Sequence, residues 1–323
     1  MENRTKWILW GTGTAAVGMA GVAAASYYLT RTLIGLALDR QMPKRLPLRQ
    51  SRVSGSQGEN RYEEERQHAA KRLELSSFEE ITIKGGDGVS LIGHWHVCQN
   101  ARRTIVAMHG WRSSWSKDFG AIAQFWHKNG CNVLYAEQRA QNKSGGNYMG
   151  FGMLERYDCR RWVHWVNERC GTKLPVYLGG LSMGATTVLM AAGLDMPDNV
   201  RGVVADSGYT SAHAIWRHVV RDNLHLRYSF HDSLVDDLCK KKIRVGTKDY
   251  TTLKAMKVTA IPVLFIHGTD DRFVPVEMTY ENYKACASKK RLLIVPGAGH
   301  CMSYFVERGN YEKAVKDFWL EFD

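Results

Sequence analysis

The chain has 323 residues, of which 44% are apolar, and a formal net charge of +12 at pH 7. An apolar fraction of this size supports a substantial core and excludes an intrinsically disordered chain. A basic chain suits nucleic acid, anionic lipid or an acidic ligand equally, but we find no nucleic-acid motif and no run of five Lys or Arg residues. We therefore predict no nucleic-acid partner.

The first predicted element is an uncharged segment from Trp7 to Thr30, which is long enough to span a bilayer. Aromatic residues lie at both of its ends, where interface anchors are found. Two interpretations remain open: a retained transmembrane anchor within residues 1–39, or a secretory signal whose cleavage would leave Ser26 as the first residue. Basic residues are more numerous after the segment than before it, which favours a cytoplasmic position for the following chain. We predict a membrane-associated protein with a single N-terminal anchor.

Residues 40–75 are predicted to be a linker followed by a surface helix. Residues 40–60 are rich in Pro, Ser, Gly and charged residues, as linkers are. Residues 61–75 mix charged and apolar residues at helical spacing. The catalytic domain is therefore expected to occupy residues 76–323.

From residue 76 onward, short apolar runs alternate with amphipathic stretches. Residues 79–97 predict a hairpin that turns at Asp87-Gly88. Six later runs are aliphatic or β-branched: TIVAMHG, NVLYAE, VYLGGL, GVVADS, PVLFIHG and RLLIVPG. Such alternation indicates a mainly parallel sheet covered by helices on both faces. In sheets of this kind, the chemistry takes place at the carboxyl ends of the strands.

The pattern Gly-x-Ser-x-Gly occurs once, from Gly180 to Gly184, with Ser182 at its centre. A strand-like run precedes it and a helix-like run follows it, which is the setting of a nucleophile elbow. The glycines leave room beside the serine, and the N-terminus of the helix directs backbone N–H groups toward a developing oxyanion. Ser182 is thus the predicted nucleophile; the alternative is a glycine-assisted turn that happens to contain a serine.

A serine hydroxyl is a poor nucleophile unless a positioned base accepts its proton. His300 follows the last strand-like run and is the candidate base, and Asp271 follows the preceding run and is the candidate acid that orients it. The order Ser182, Asp271, His300 is that of α/β-hydrolases. Asp270 is interpreted as a turn residue. Cys301 lacks an elbow and is interpreted as a packing residue.

From about Phe78 to its end, the chain resembles the α/β-hydrolase superfamily in its carboxylesterase and serine aminopeptidase-like branch. The resemblance is carried by MHGWRSS, YAEQRAQNKSGGNYMGFGMLERYD, GLSMGA, HGTDDRFVP and GAGHCMSY. It implies a mainly parallel eight-stranded sheet with helices on both faces and a small helical lid at about residues 209–256. In the family pattern Gly-x-x-Asp-x-x-Val-Pro, the acid corresponds to Asp271. The His-Gly pair after the third strand implies that the backbone N–H groups of Trp111 and Met183 form the oxyanion hole.

One segment departs from the superfamily pattern. Relatives usually have Arg-x-His-Gly-x-Ser after the fourth strand, whereas residues 139–144 of this chain are RAQNKS. The segment borders the site, so the difference concerns loop shape and substrate fit more than catalysis. The predicted lid either covers the serine, with Trp216 and Phe230 as candidate lining residues, or only packs on the core.

The predicted function is a serine hydrolase that cleaves carboxylic esters through a Ser-His-Asp triad and an acyl-enzyme intermediate. The alternatives are a peptidase or amidase of the serine aminopeptidase type and a non-catalytic binding protein that retains the fold. The predicted partner is a small-molecule ester or acyl substrate, and the mechanism implies no metal or organic cofactor. The seven cysteines are odd in number and have no paired Cys-x-x-Cys spacing, so we expect free thiols.

Overall fold

An eight-stranded sheet forms the centre of the protein, whose computed structural model describes residues 24–42, 60–225 and 232–323. In chain order the strands are β1 (Glu79–Lys84), β2 (Ser90–His96), β3 (Arg103–Met108), β4 (Cys131–Ala136), β5 (Val176–Leu181), β6 (Val200–Asp206), β7 (Val263–Gly268) and β8 (Lys290–Val295). Their order across the sheet is β1-β2-β4-β3-β5-β6-β7-β8. β2 pairs antiparallel with β1 and β4, and the other neighbours pair in parallel. The predicted fold class is confirmed.

Helices connect most of the strands, and two further helices precede β1 in the chain. They are α1 (residues 24–38), α2 (Asn60–Glu74), α3 (Trp115–Lys128), α4 (Glu155–Cys170), α5 (Met183–Ala191), α6 (Ala212–His218), α7 (Asp232–Ile243), α8 (Thr252–Val258), α9 (Val276–Ala285), α10 (Ser303–Val306) and α11 (Arg308–Phe322). A π-helical turn, Val219–Asn223, follows α6 directly. The elements from α6 to α8 occupy the interval between β6 and β7 where the lid was expected.

The two faces of the sheet carry separate apolar cores because successive side chains of a strand point to opposite faces. In β3, Val106 belongs to the core under α4 and α5, which includes Trp162. Its neighbour Ile105 belongs to the core under α3 and α11, which includes Trp126 and Phe318. Burial on both faces explains why the central strands are continuous apolar runs in the sequence.

The predicted membrane anchor lies only partly within the described residues. Its residues 7–23 lie outside them, and residues 24–30 form the beginning of α1. None of the described helices is long and apolar enough to cross a membrane. The structure therefore gives the anchor prediction no support.

Helix α1 packs against the unit that we expected to begin at residue 76. Leu38 is completely buried, and its carbonyl oxygen accepts a hydrogen bond of 2.7 Å from the Met149 backbone N–H. Asp39 forms an isolated β-bridge with Tyr148, and its carboxylate accepts a hydrogen bond of 2.6 Å from Lys242. These contacts make α1 a packed part of the unit that contains the sheet.

Helix α2 packs along α3, where glycine permits a close approach of the two backbones. A Cβ atom at Gly120 would lie 2.6 Å from the backbone carbonyl carbon of Ala69. We expect Gly120→Ala to lower the free energy of unfolding by about 1–3 kcal/mol, because the helices have to separate. Urea unfolding of the full chain measures this change.

The matched control is Gly309→Ala in the first turn of α11, where a Cβ would meet no atom within 4 Å. This control is expected to change the free energy of unfolding by less than about 1 kcal/mol. Equal unfolding midpoints for the two variants would contradict the close packing of α2 on α3.

Candidate active site

Ser182 lies on a strained turn between β5 and α5. Its φ is 56° and its ψ is −117°, a left-handed conformation that non-glycine residues rarely adopt. The glycines on either side are required sterically: a Cβ at Gly180 would lie 2.3 Å from the Gly184 carbonyl oxygen, and one at Gly184 only 1.7 Å from the Met108 carbonyl oxygen. Substitution at either position would force the strand and the helix apart. The sequence pattern thus has a steric cause.

The structure brings together the three residues predicted to act on a substrate. Ser182 Oγ lies 2.8 Å from His300 Nε2, and His300 Nδ1 lies 2.7 Å from Asp271 Oδ2. An ionised carboxylate can only accept hydrogen bonds, so Nδ1 carries the proton and donates it to Asp271. Nε2 then accepts the hydrogen bond of the Ser182 hydroxyl. This is the tautomer that a general base requires.

Asp271 is held as a carboxylate by its surroundings. Its Oδ1 accepts hydrogen bonds from the backbone N–H groups of Phe273 (2.9 Å) and Val274 (2.8 Å). Burial by itself raises the pKa of Asp271, but the nearby imidazoles of His300 and His267 outweigh it and hold that pKa well below its usual range. The neighbouring Asp270 is exposed and accepts a hydrogen bond from the Thr269 hydroxyl instead.

The carboxylate partner of His300 changes the pKa of its imidazole. Burial lowers the pKa of His300, and the interaction with Asp271 raises it more strongly, so that the pKa lies well above the ordinary value of 6.5. His300 has to be neutral to accept a proton in the free enzyme. We therefore expect any reaction that uses His300 as its base to be lost as the pH falls through this raised pKa.

We expect the acid limb of a plot of kcat/KM against pH to have its midpoint above the ordinary histidine value of 6.5. In Asp271→Asn the carboxylate that raises the pKa is gone, so the midpoint is expected to move to lower pH. Ester hydrolysis measured between about pH 5 and pH 9 tests both expectations. A midpoint that is the same in the two proteins would rule out the assigned coupling.

Sequence reasoning missed His267, which also contacts the acid. Its Nε2 lies 3.0 Å from Asp271 Oδ2 and 2.9 Å from the Val274 carbonyl oxygen, and its Nδ1 lies 2.6 Å from Thr279 Oγ1. Both partners of Nε2 are acceptors, so Nε2 carries a proton and donates it. The sequence signal that could have identified His267 was a histidine near the end of a strand-like run, four residues before the acid.

The backbone on both sides of Trp111 is fixed by side chains. The Gly110 N–H donates to Asp118 Oδ2 (2.6 Å), and the Arg112 N–H donates to Gln141 Oε1 (2.5 Å). Within the described residues, the N–H groups of Trp111 and Met183 form no hydrogen bond. Met183 directly follows Ser182, and a Cβ at Gly110, the residue before Trp111, would lie 3.4 Å from Ser182 Cβ. The oxyanion hole at these two N–H groups stays a prediction. Asp118 was not found by sequence reasoning, since it lies inside α3.

The segment that departs from the superfamily pattern holds this same loop. Gln141 occupies the usual histidine position and accepts the Arg112 N–H. Asn142 occupies the usual glycine position with a φ of 48°, which asparagine tolerates better than most residues. Its side-chain amide donates to the Ser113 carbonyl oxygen at 2.9 Å. The changed residues therefore support the loop that carries Trp111.

Two other predicted features near the site can now be placed. Cys301 is next to His300, and burial raises the pKa of its thiol to about 11, so it stays protonated at neutral pH. Trp216, on α6, lines an apolar cavity of about 60 Å³ that also contacts Trp111. Phe230 lies outside the described residues. Another cavity, of about 560 Å³, is lined by Val200, the first residue of β6. It therefore lies at the amino ends of the parallel strands, whereas Ser182 follows the carboxyl end of β5.

One family model matches part of the chain, and bacterial relatives match most of it. Residues 99–234 match the family model described as serine aminopeptidase. The uncharacterized protein YqkD of Bacillus subtilis is 26% identical over 248 residues, which cover 77% of this chain and 80% of YqkD. The uncharacterized protein YfhR of Escherichia coli is 24% identical over 252 residues, which cover 76% of this chain and 81% of YfhR.

Solved structures resemble most of the described chain. An esterase of Pyrococcus furiosus has a TM-score of 0.64 and 24% identity, covering 78% of this chain and 93% of its own. Est1E of Butyrivibrio proteoclasticus, solved with ferulic acid, has a TM-score of 0.59 and 19% identity, covering 75% and 98%. With the observed strand order and the match at residues 99–234, these likenesses identify the chain as a protein with the α/β-hydrolase fold.

Proposed function

We propose that the protein is a serine hydrolase that cleaves carboxylic esters. His300 Nε2 accepts the proton of Ser182, whose Oγ attacks the ester carbonyl carbon. The carbonyl oxygen becomes an oxyanion, which accepts hydrogen bonds from the N–H groups of Trp111 and Met183. The His300 imidazolium then protonates the departing alcohol, and water, deprotonated by the same imidazole, releases the acid from Ser182.

The observation that carries this proposal is the unbroken hydrogen-bond chain from Ser182 through His300 to Asp271, with distances of 2.8 Å and 2.7 Å. A serine in a merely structural turn has no need of a buried imidazole and carboxylate in line with it. The strained φ of Ser182 gives the same support, because backbone strain of this kind concentrates at functional sites.

An ester substrate is preferred to an aminoacyl substrate because of the cavity beside the site. An aminopeptidase has to receive the ammonium group of its substrate, which requires a carboxylate or several carbonyl oxygens. The described side chains that line the cavity are all apolar, among them Trp111, Phe151 and Phe273. Such a lining suits a hydrocarbon chain and disfavours a cation.

A fluorophosphonate probe, which reacts with activated serines, tests the reaction class. The folded full-length protein is expected to be labelled, and Ser182→Ala to be unlabelled. Hydrolysis of p-nitrophenyl esters, measured beside aminoacyl-arylamides, then separates an esterase from an aminopeptidase. A folded protein that resists the probe would identify a non-catalytic binding protein. Faster hydrolysis of the arylamides would overturn the ester preference.

A further inference from the structure

The cavity beside Ser182 is built in large part by the N-terminal helix. Four side chains of α1 line it: Leu33, Ile34, Leu36 and Ala37. The opposite wall comes from α6 and the π-helical turn, between Ile215 and Leu224. The cavity therefore exists only where a segment preceding the matched family region meets the segment between β6 and β7.

Two residues that line the cavity, Trp111 and Phe273, adjoin the reacting groups. Trp111, whose backbone N–H faces no partner in the described chain, contributes its side chain to the lining. Phe273 also lines the cavity, and its ring packs edge-on against His300 with centroids 4.9 Å apart. The acyl substituent of an ester bound at Ser182 would therefore lie on the side of Trp111 and Phe273.

Helix α1 is fixed in place by the loop that carries the Trp111 N–H group. The indole N–H of Trp111 donates to the Ala37 carbonyl oxygen at 3.0 Å. The Arg112 guanidinium donates to the carbonyl oxygens of Leu36 (2.9 Å) and Asp39 (2.5 Å). The last carbonyl groups of a helix have no partner within the helix, so these bonds satisfy groups that would otherwise need water. α1 is thus held as a wall of the site by polar bonds to the same loop.

The chemistry and the size of the cavity define what fits it. Its described lining has no charged or hydrogen-bonding side chain apart from two indoles, those of Trp111 and Trp216. A volume of about 60 Å³ corresponds to roughly four to six groups of the size of water, since one such group needs about 10–15 Å³. A short unbranched hydrocarbon chain meets both conditions.

We propose that α1 forms one wall of an acyl-binding pocket that selects esters of short fatty acids, with acyl chains of about four to six carbons. The proposal rests on the proposed ester hydrolysis at Ser182 and adds to it the substrate class and the segment that determines it. Each methylene buried in the pocket is expected to raise kcat/KM about fourfold until the pocket is full.

The test uses the full-length protein and p-nitrophenyl esters from acetate to decanoate. The wild type is expected to show its highest kcat/KM with butyrate to hexanoate. Ala37→Phe fills the cavity, so its optimum is expected to move to acetate, with a loss of about tenfold or more on butyrate. Leu33→Ala enlarges the cavity, so its optimum is expected to move to longer chains.

Two matched controls lie on the same helix outside the cavity. Thr32→Phe adds an aromatic ring at an exposed position, and Leu29→Ala removes the same atoms as Leu33→Ala from a side chain that is 36% exposed. Both are expected to keep the wild-type acyl-length profile. The opposite shifts expected of Ala37→Phe and Leu33→Ala cannot both arise from misfolding.

The outcomes separate the two proposals. If both cavity variants retain the wild-type profile while Ser182 is labelled by fluorophosphonate, the assignment of α1 as a pocket wall is wrong and ester hydrolysis stands. A wild type that hydrolyses the decanoate ester fastest would likewise contradict the proposed selection of short acyl chains. If the folded wild type is neither labelled nor active on any ester, the proposed function itself fails.

Discussion

Replacement of Ser182 by alanine is expected to lower kcat/KM for a short-chain ester by about 10⁶-fold, because no other group takes over the nucleophilic attack. The fold should be preserved. The alanine of this variant would have to adopt the same left-handed φ of 56°, which costs alanine no more than serine. Steady-state hydrolysis, with circular dichroism as a check of folding, measures the effect.

Cys301→Ala is the matched control, since Cys301 is the other potential nucleophile next to His300. Because burial raises the pKa of its thiol to about 11, little thiolate is present at neutral pH, and the variant is expected to keep wild-type labelling at Ser182. Loss of activity in Cys301→Ala together with retained activity in Ser182→Ala would assign the chemistry to the thiol.

Asp271→Asn is expected to lower kcat for ester hydrolysis by about 10⁴-fold. An amide in place of the carboxylate would let His300 take the other tautomer, with its proton on Nε2, where it cannot accept from Ser182. The neutral amide also cannot stabilise the imidazolium that forms during the reaction. Single-turnover release of the alcohol shows whether acylation is the step that slows.

The neighbouring carboxylate provides the control for this prediction. Asp270→Asn changes an exposed side chain bonded to Thr269, so we expect kcat within about twofold of the wild type, in line with an exposed substitution away from the site. Equal losses in the two variants would mean that the net charge of the loop matters, whereas a larger loss in Asp270→Asn would reassign the acid.

The acyl pocket adds a consequence for the N-terminal part of the chain. Because Trp111 and Arg112 bond to the carbonyl groups at the end of α1, displacement of this helix would disturb the oxyanion loop as well as the pocket. We therefore propose that residues 24–42 belong to the functional unit, whereas the sequence analysis assigned them to an anchor and a linker.

The catalytic order and the elbow could be predicted from sequence because both have local causes. Gly180 and Gly184 are required by close backbone contacts at the turn, and the strand that precedes Asp271 is a continuous apolar run because it is buried on both faces. The strand that precedes His300 lies at the edge of the sheet and is partly exposed, but its LLIV run still indicates a strand. Parallel strands then bring their carboxyl ends to one edge of the sheet.

Tertiary structure alone decided which distant groups support these residues. His267, Asp118 and Gln141 contact the site through hydrogen bonds whose partners no periodicity or motif specifies. The uncharged stretch from Trp7 to Thr30 fits a bilayer by its composition, and its residues 7–23 lie outside the described residues. Packing of Leu33 and Ala37 beside the site, and the bonds that hold α1 there, depend on residues more than seventy positions away in the chain.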